Sequence, residues 1–324
     1  MNKNIIFFLL TFTVLSSSAQ YSNFKLEKKK DKDKKEVKAP DAIQTKTKGC
    51  EKFEGLFNIY QDKKSGKSYL EIDTSHLDQE FIYFSYFENG ITDAFSVRGR
   101  YRGSKIIKIQ KFYNKIDITV LNTNYYFDED NALSKASNAN INTPLIISED
   151  IIAKNNDKTK FLINADNIFL NESLQQIRSS YSGGYKGFRL GNLSKSKTRY
   201  NKIRNYPENT DVVVNYFYES KYPSRRGSDA ITDSRNVSIL VQHSLVKMPD
   251  NEYSPRKDDS RIGFFTTQSN HMTTLDPVNY RDFINRWRLE KKDPEKAISE
   301  AVKPVTYWIE NTTPLEFRQI IKDG

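Results

Sequence analysis

Apolar and polar positions alternate along much of this chain, with the period of half-buried strands rather than of helices. The clearest case is 237–246, where Val237, Ile239, Val241, His243 and Leu245 fall on one face by the period of two. Residues 211–218 carry a second long strand pattern. Earlier, 57–60 and 68–73 flank the polar turn segment 62–67 and predict a hairpin, and the aromatic run 81–87 predicts a third strand. Shorter strands are expected at 105–110, 116–121, 125–127, 161–163, 261–267, 283–289 and 305–309. Helical patterns are few. One is short, at 147–153. The other opens at Thr313-Pro314-Leu315-Glu316, with a threonine cap, a first-turn proline and a capping-box glutamate before the apolar stripe of Phe317, Ile320 and Ile321. The expected fold class is mainly β (α+β), antiparallel and β-rich with few short helices. Neither an internal repeat nor a sustained heptad is present.

Composition strengthens the sheet reading. The 324 residues include 19 Tyr and 20 Phe, a large apolar payload that favours strands and makes wholesale disorder untenable. The N-terminus has its own pattern: Lys3, an eleven-residue apolar run at 5–15, then Ser17-Ser18-Ala19. Such a run is too short to span a bilayer but matches a secretory signal peptide cleaved near Ala19, so an exported protein without a transmembrane segment is expected. The single cysteine, Cys50, cannot form an internal disulfide and reads as a free thiol. The formal charge of +10 is concentrated near the start. Removing Lys3, and the stretch 25–38 with its eight lysines and four acids, takes away five charges and leaves an ordinary +5 for the remainder. The expected division is therefore a signal peptide at 1–19, a Lys-rich disordered linker at 20–49, a small β module at 50–100, a larger antiparallel β domain at 101–290 and a linker at 291–303.

Catalytic chemistry is sparse. The three histidines, His76, His243 and His271, are far apart, and no His-Glu-x-x-His, Gly-x-Ser-x-Gly or phosphate-binding glycine loop occurs. His243 on an apolar strand face reads as a hydrogen-bonded core histidine. The stretch 181–207, Gly-, Ser- and Tyr-rich, is expected to leave the sheet. It carries Lys186, Arg189, Lys195, Lys197, Arg199, Lys202 and Arg204 with no acid, interleaved with Tyr181, Tyr185, Phe188, Tyr200 and Tyr206. Such a pattern suits a polyanion, an anionic glycan before nucleic acid in an exported protein; a solvated loop is the plainer alternative.

Several segments carry a likeness to known sequences. They are Gly55-Leu56-Phe57-Asn58-Ile59-Tyr60, Ser68-Tyr69-Leu70-Glu71-Ile72, 161–170, 196–207, His243-Ser244-Leu245-Val246-Lys247-Met248-Pro249, 255–265, 286–294 and Lys303-Pro304-Val305-Thr306-Tyr307-Trp308-Ile309. Together they resemble the N-terminal region of a family of secreted bacterial zinc-dependent metalloproteases. The resemblance implies that 304–324 is the first strand and helix of a catalytic domain, truncated here, whose His-Glu-x-x-His-x-x-Gly-x-x-His would hold zinc and activate water further along. No such motif occurs in these residues, so the resemblance transfers no catalytic residue and no metal ligand. No cofactor is expected in this chain, zinc only in a longer one. A helix of about ten residues is marginal alone, which leads to the expectation of a continuation past Gly324, or else of a terminal helix docked on the preceding sheet. The implied role is a non-catalytic scaffold or pro-region partnered by the missing catalytic domain, in cis or from a split gene. Arg256, Asp258, Asp259 and Arg261 are the candidate interdomain contact, or an ordinary solvated turn. The alternative is a free-standing exported module that binds peptide or anionic glycan.

Overall fold

The computed structural model describes residues 40–180, 184–224, 226–250 and 253–324. The expected signal peptide and the linker up to residue 39 lie outside the described residues. The first described element is a short helix, α1 (Ala42–Lys46), where the Asp41 carboxylate accepts from the backbone N–H groups of Ile43 and Gln44. Ile43 is buried in a small cluster with Tyr69 and Leu162. The expected linker therefore does not extend over 40–49, because one buried isoleucine and a satisfied cap fasten a polar stretch to the sheet.

Sixteen strands follow among the described residues. They are β1 (Cys50–Phe53), β2 (Ile59–Asp62), β3 (Ser68–Asp73), β4 (Glu80–Asn89), β5 (Tyr101–Phe112), β6 (Lys115–Val120), β7 (Tyr125–Tyr126), β8 (Leu145–Asp150), β9 (Ala153–Lys154) and β10 (Lys160–Asn164). After a one-turn helix, α2 (Asp166–Phe169), come β11 (Asn192–Leu193), β12 (Arg199–Asn205), β13 (Asn209–Glu219), β14 (Asn236–Lys247), β15 (Thr266–His271), β16 (Tyr280–Ile284) and finally a helix, α3 (Leu315–Asp323). Two large antiparallel sheets are built from them. The first has the order β1-β2-β3-β10-β9; the second runs β11-β13-β14-β4-β5-β6-β8, with β12 also on β13. A small third sheet, β16-β15-β7, has one parallel pair, β15 with β7. The fold is thus antiparallel and β-rich with few short helices, as the alternation implied. Among the described residues no helix is long and apolar enough to cross a membrane.

The expected boundary at 100/101 cuts through both large sheets. β3 pairs with β10 from the far side of it, and β4 lies between β14 and β5. Phe57, Ile59, Leu70 and Ile72 share one core with Ile107, Ile118, Phe161, Val214 and Ile239. A latch closes the seam: the Asn205 amide donates to the carbonyls of Phe53 and Phe57, and the Phe57 N–H donates to Thr210 Oγ1 at 3.1 Å. Gly55 lets the chains approach here, since a Cβ would lie 2.2 Å from Asn205 Oδ1.

Other local expectations shift for related reasons. Residues 147–153, expected as a helix, enter strands β8 and β9, and β8 pairs along β6. Of the stretch 181–207, residues 181–183 lie outside the described residues, 184–191 form no strand, and 192–193 and 199–205 return to the sheet as β11 and β12, both paired with β13. The expected strands at 261–267 and 283–289 lie instead at β15 and β16, and 305–309 forms no strand. The expected linker at 291–303 closes on itself, with Lys292 N–H donating to Glu300 O and Val302 N–H to Glu290 O. The Thr313 capping box does not form: α3 starts at Leu315 with Pro314 in the cap position and no side-chain cap. Thr313 uses its carbonyl instead, accepting from Arg318 Nε.

At the centre of the core lies a polar relay. His243 is fully buried, and its ring nitrogens meet two phenols, Tyr83 Oη at Nδ1 (2.9 Å) and Tyr216 Oη at Nε2 (2.8 Å). Tyr216 donates its only proton to the Phe169 carbonyl, so it must accept from Nε2–H, which leaves Nδ1 to accept from Tyr83. One tautomer satisfies every group. Desolvation pulls the His243 pKa down to about 3.

The imidazole is therefore neutral in the fold but titrates near its ordinary value of about 6.5 when unfolded. Its stabilising contribution is complete above that pH and is lost progressively as pH falls towards 3. Urea denaturation at pH 7 and pH 4 should show a His243→Gln variant that is less stable at neutral pH, by about 1–3 kcal/mol, but loses less than the parent on acidification. Equal acid sensitivity of the two proteins would show that the buried imidazole does not set this slope.

Candidate functional site

The seven basic residues of 181–207 do not form one surface. β12 places Arg204 half-buried on the sheet face opposite His243, where its guanidinium donates to Glu88 Oε1 at 3.0 Å and to Gln242 Oε1. Gln242 Oε1 also accepts from Tyr86 Oη at 2.6 Å, so Arg204 ties β12 to β14 and β4. Lys197 pairs with Glu219 across the β11–β13 edge. The Arg199 guanidinium lies 5.2 Å from the centre of the Phe217 ring. A bulge between Tyr200 and Lys202 resets the register of β12, and Lys195 and Lys202 point to solvent. Only Lys186 and Arg189 share a groove. Its volume is about 550 Å³, and Tyr185, Tyr222 and Arg226 complete its walls. Arg189 donates to the Tyr185 carbonyl at 2.7 Å and lies over its ring.

Arg256, Asp258, Asp259 and Arg261 fall on a strap beside β16. Asp258 N–H donates to Asp282 O, the Arg256 carbonyl accepts from Ile284 N–H, and Arg261 forks onto Asp259. Two of the four side chains thus satisfy each other locally.

The histidines do not fit a zinc ion. Both ring nitrogens of His243 are committed in the core, and His76 Nδ1 accepts from Asp73 N–H at 3.2 Å, with its ring packed on Phe57 and Phe81. Burial lowers the His76 pKa, the opposing pull of Asp73 being smaller. His271 stands apart, edge-on to Tyr126. Among the described residues no group of three or more His, Cys, Asp or Glu could hold a metal.

What sequence reasoning missed is the surface presented by 285–324. Both tryptophans of the chain are here, Trp287 at 68% and Trp308 at 91% exposure, and Leu289, Ile298, Val302 and Tyr307 are exposed with them. α3 adds its whole apolar stripe, Leu315, Phe317, Ile320 and Ile321, with no residue buried. The segment is nonetheless anchored. Arg286 Nη2 donates to the Ser254 carbonyl and its guanidinium lies 4.9 Å from the Tyr253 ring centre, while Asn285 N–H donates to Phe265 O. Arg98 approaches Glu310 at 3.8 Å. Apolar side chains are thus held outward in number on an anchored backbone. In the sequence 305–309 reads as an apolar strand and 313–324 as a capped helix in want of a surface, or else docked on the preceding sheet, because periodicity does not reveal which faces are covered.

Two family models match the chain, both described as domains of unknown function: DUF5117 over residues 99–292 and DUF5118 over residues 40–90. No curated protein and no solved structure matches it significantly.

The placement of the basic residues separates structural from free charges. Arg204→Ala should destabilise the protein by about 1–3 kcal/mol, since partly buried Glu88 loses its partner and buried Gln242 one of its two donors. Lys195→Ala and Lys202→Ala should each stay within about 0.5 kcal/mol of the parent. Urea unfolding midpoints check this, and equal effects at the three positions would contradict the assignment.

Proposed function

The chain belongs to the DUF5117 family, and we propose that it is a non-catalytic scaffold of an exported zinc metalloprotease-like protein, one that packs against a catalytic domain. The observation that carries this reading is the contrast within the chain. Among the described residues, the buried apolar side chains all lie between Ile43 and Leu245, most of them in one core, whereas 285–324 holds two tryptophans and an entire helical stripe outward. Apolar area of that kind is stabilised when a second surface removes it from water, at about 25 cal/mol for each Å² covered. The resemblance of 303–309 and its neighbours to the entrance of a metalloprotease domain supplies the partner. Zinc would be held by that domain and not by the residues described above.

Because Trp287 and Trp308 are the only tryptophans beside 19 tyrosines, fluorescence excited selectively at tryptophan reports on this surface alone. Alone, the protein should show solvent-exposed emission that acrylamide quenches readily. In a longer chain that adds a His-Glu-x-x-His domain, the two tryptophans should become shielded, and deleting residues 40–284 should lower soluble yield and peptidase activity by at least about tenfold. Unchanged quenching together with equal yield and activity would sink the scaffold reading.

A second reading, a module that binds anionic glycan, is favoured by the groove at Lys186, Arg189 and Arg226. It predicts salt-dependent retention on heparin that is lost in a Lys186→Glu/Arg189→Glu variant and kept in Lys197→Gln, whose parent charge is paired with Glu219.

A further inference from the structure

The small third sheet has one face that neither role accounts for. By the period of two, Ser269 and His271 share a face of β15, and Arg281 and Phe283 share a face of β16. The register sets Ser269 opposite Arg281 and His271 opposite Tyr126. The strap at Pro255 and Lys257, joined to β16 by a bridge between Lys257 and Phe283, closes this face into a pocket of about 540 Å³. That volume lies within the usual range for small-ligand sites.

Its walls have two characters. Tyr126, Phe283 and Pro255 are apolar, and the Tyr126 ring stands edge-on to His271 with centroids 4.9 Å apart. The polar groups are Lys257, Ser269, His271 and Arg281. Arg281 is largely spent, on Asp276 at 2.6 Å and on the carbonyls of Val278 and Tyr280. His271 Nδ1 is 3.4 Å from Thr273 Oγ1. Among the described residues, the Lys257 ammonium and the Ser269 hydroxyl have no hydrogen-bond or ion-pair partner. Asp276 feels the Lys257 charge but is in contact with Arg281, so the pocket keeps a Lys257 ammonium with no contacting anion beside aromatic walls.

We propose that this pocket binds an apolar monocarboxylate, the chemistry of a free peptide C-terminus with an aromatic or branched side chain. The carboxylate sits on Lys257 and Ser269, and the side chain lies between Tyr126 and Phe283. The anion meets a cation that lacks a partner, and the side chain meets rings, so each half of the ligand matches what that wall lacks. This proposal is independent of the docking reading, because no residue of 285–324 lines the pocket.

Isothermal titration calorimetry on the whole protein tests it with N-acetyl-L-phenylalanine, its primary amide, and the peptide acid N-acetyl-Ala-Ala-Phe. The acid is expected to bind at least about tenfold more tightly than the amide. Lys257→Met, at an exposed position that leaves the core intact, should erase that preference, and Tyr126→Ala should weaken the acid about tenfold. Tighter binding of the peptide acid than of the free amino acid derivative assigns the site to peptide ends; equal binding assigns it to free apolar acids, and both support the chemistry. Equal affinity for acid and amide, an undiminished preference in Lys257→Met, or no heat of binding up to about 10 mM ligand overturns it.

Discussion

A histidine with no exposed surface, held neutral between two phenols, is the interaction to which the arrangement of the large sheets is keyed. Tyr83 comes from β4, His243 from β14 and Tyr216 from β13, and the relay ends on the carbonyl of Phe169 in α2, directly after β10 of the other sheet. Three adjacent strands and the connection between sheets thus converge on four polar groups. A slip of β14 by one residue would turn His243 to the opposite face and strand the Tyr83 hydroxyl, at a cost of about 1–3 kcal/mol, while Tyr216 would keep only its bond to Phe169. Apolar neighbours such as Val241, Ile239 and Val214 supply more of the burial energy, but they tolerate repacking. The relay does not, and so it specifies the register that they fill.

The same logic of satisfaction recurs at the seams. Glu71 is buried on β3 with Asn58, Tyr60 and Lys160 as partners at 3.0, 2.8 and 3.1 Å. Burial and this carboxylate push the Tyr60 phenol upward. Arg204 does for β12, β14 and β4 what Asn205 does for the turn before β2: a polar group from one element satisfies orphan acceptors of another. Buried polar groups here join elements that are distant in sequence. That is why a small first module and a larger second domain fold around one core.

Beyond Lys247 the character of the packing changes. The third sheet and the segment that follows are fixed by backbone hydrogen bonds and exposed ion pairs, with little burial behind them. Exposed pairs such as Asp259–Arg261 contribute little stability, so this part of the molecule is shaped without being filled. Apolar side chains are left outward by that shape, and beside the third sheet a pocket opens.

Strand type, the central strands and the core placement of His243 were readable from sequence, because a period of two and a histidine within an apolar face are local facts. So were the absence of a zinc motif in these residues and the apolar stripe of α3. What the residues by themselves could not determine was which strands are neighbours, and the errors follow from that. β8 looked helical because six residues cannot distinguish a buried strand from a helical turn. Residues 192–205 looked like part of a loop because β11 and β12 are polar edge strands, stabilised by pairing with β13 and not by their own composition. The basic residues looked like one patch because proximity in sequence is not proximity on a pleated surface, where alternate side chains part to opposite faces. Trp308 and the α3 stripe were legible as apolar because hydrophobicity records what a side chain gains on leaving water, whereas only the tertiary structure decides whether any of the described residues cover it.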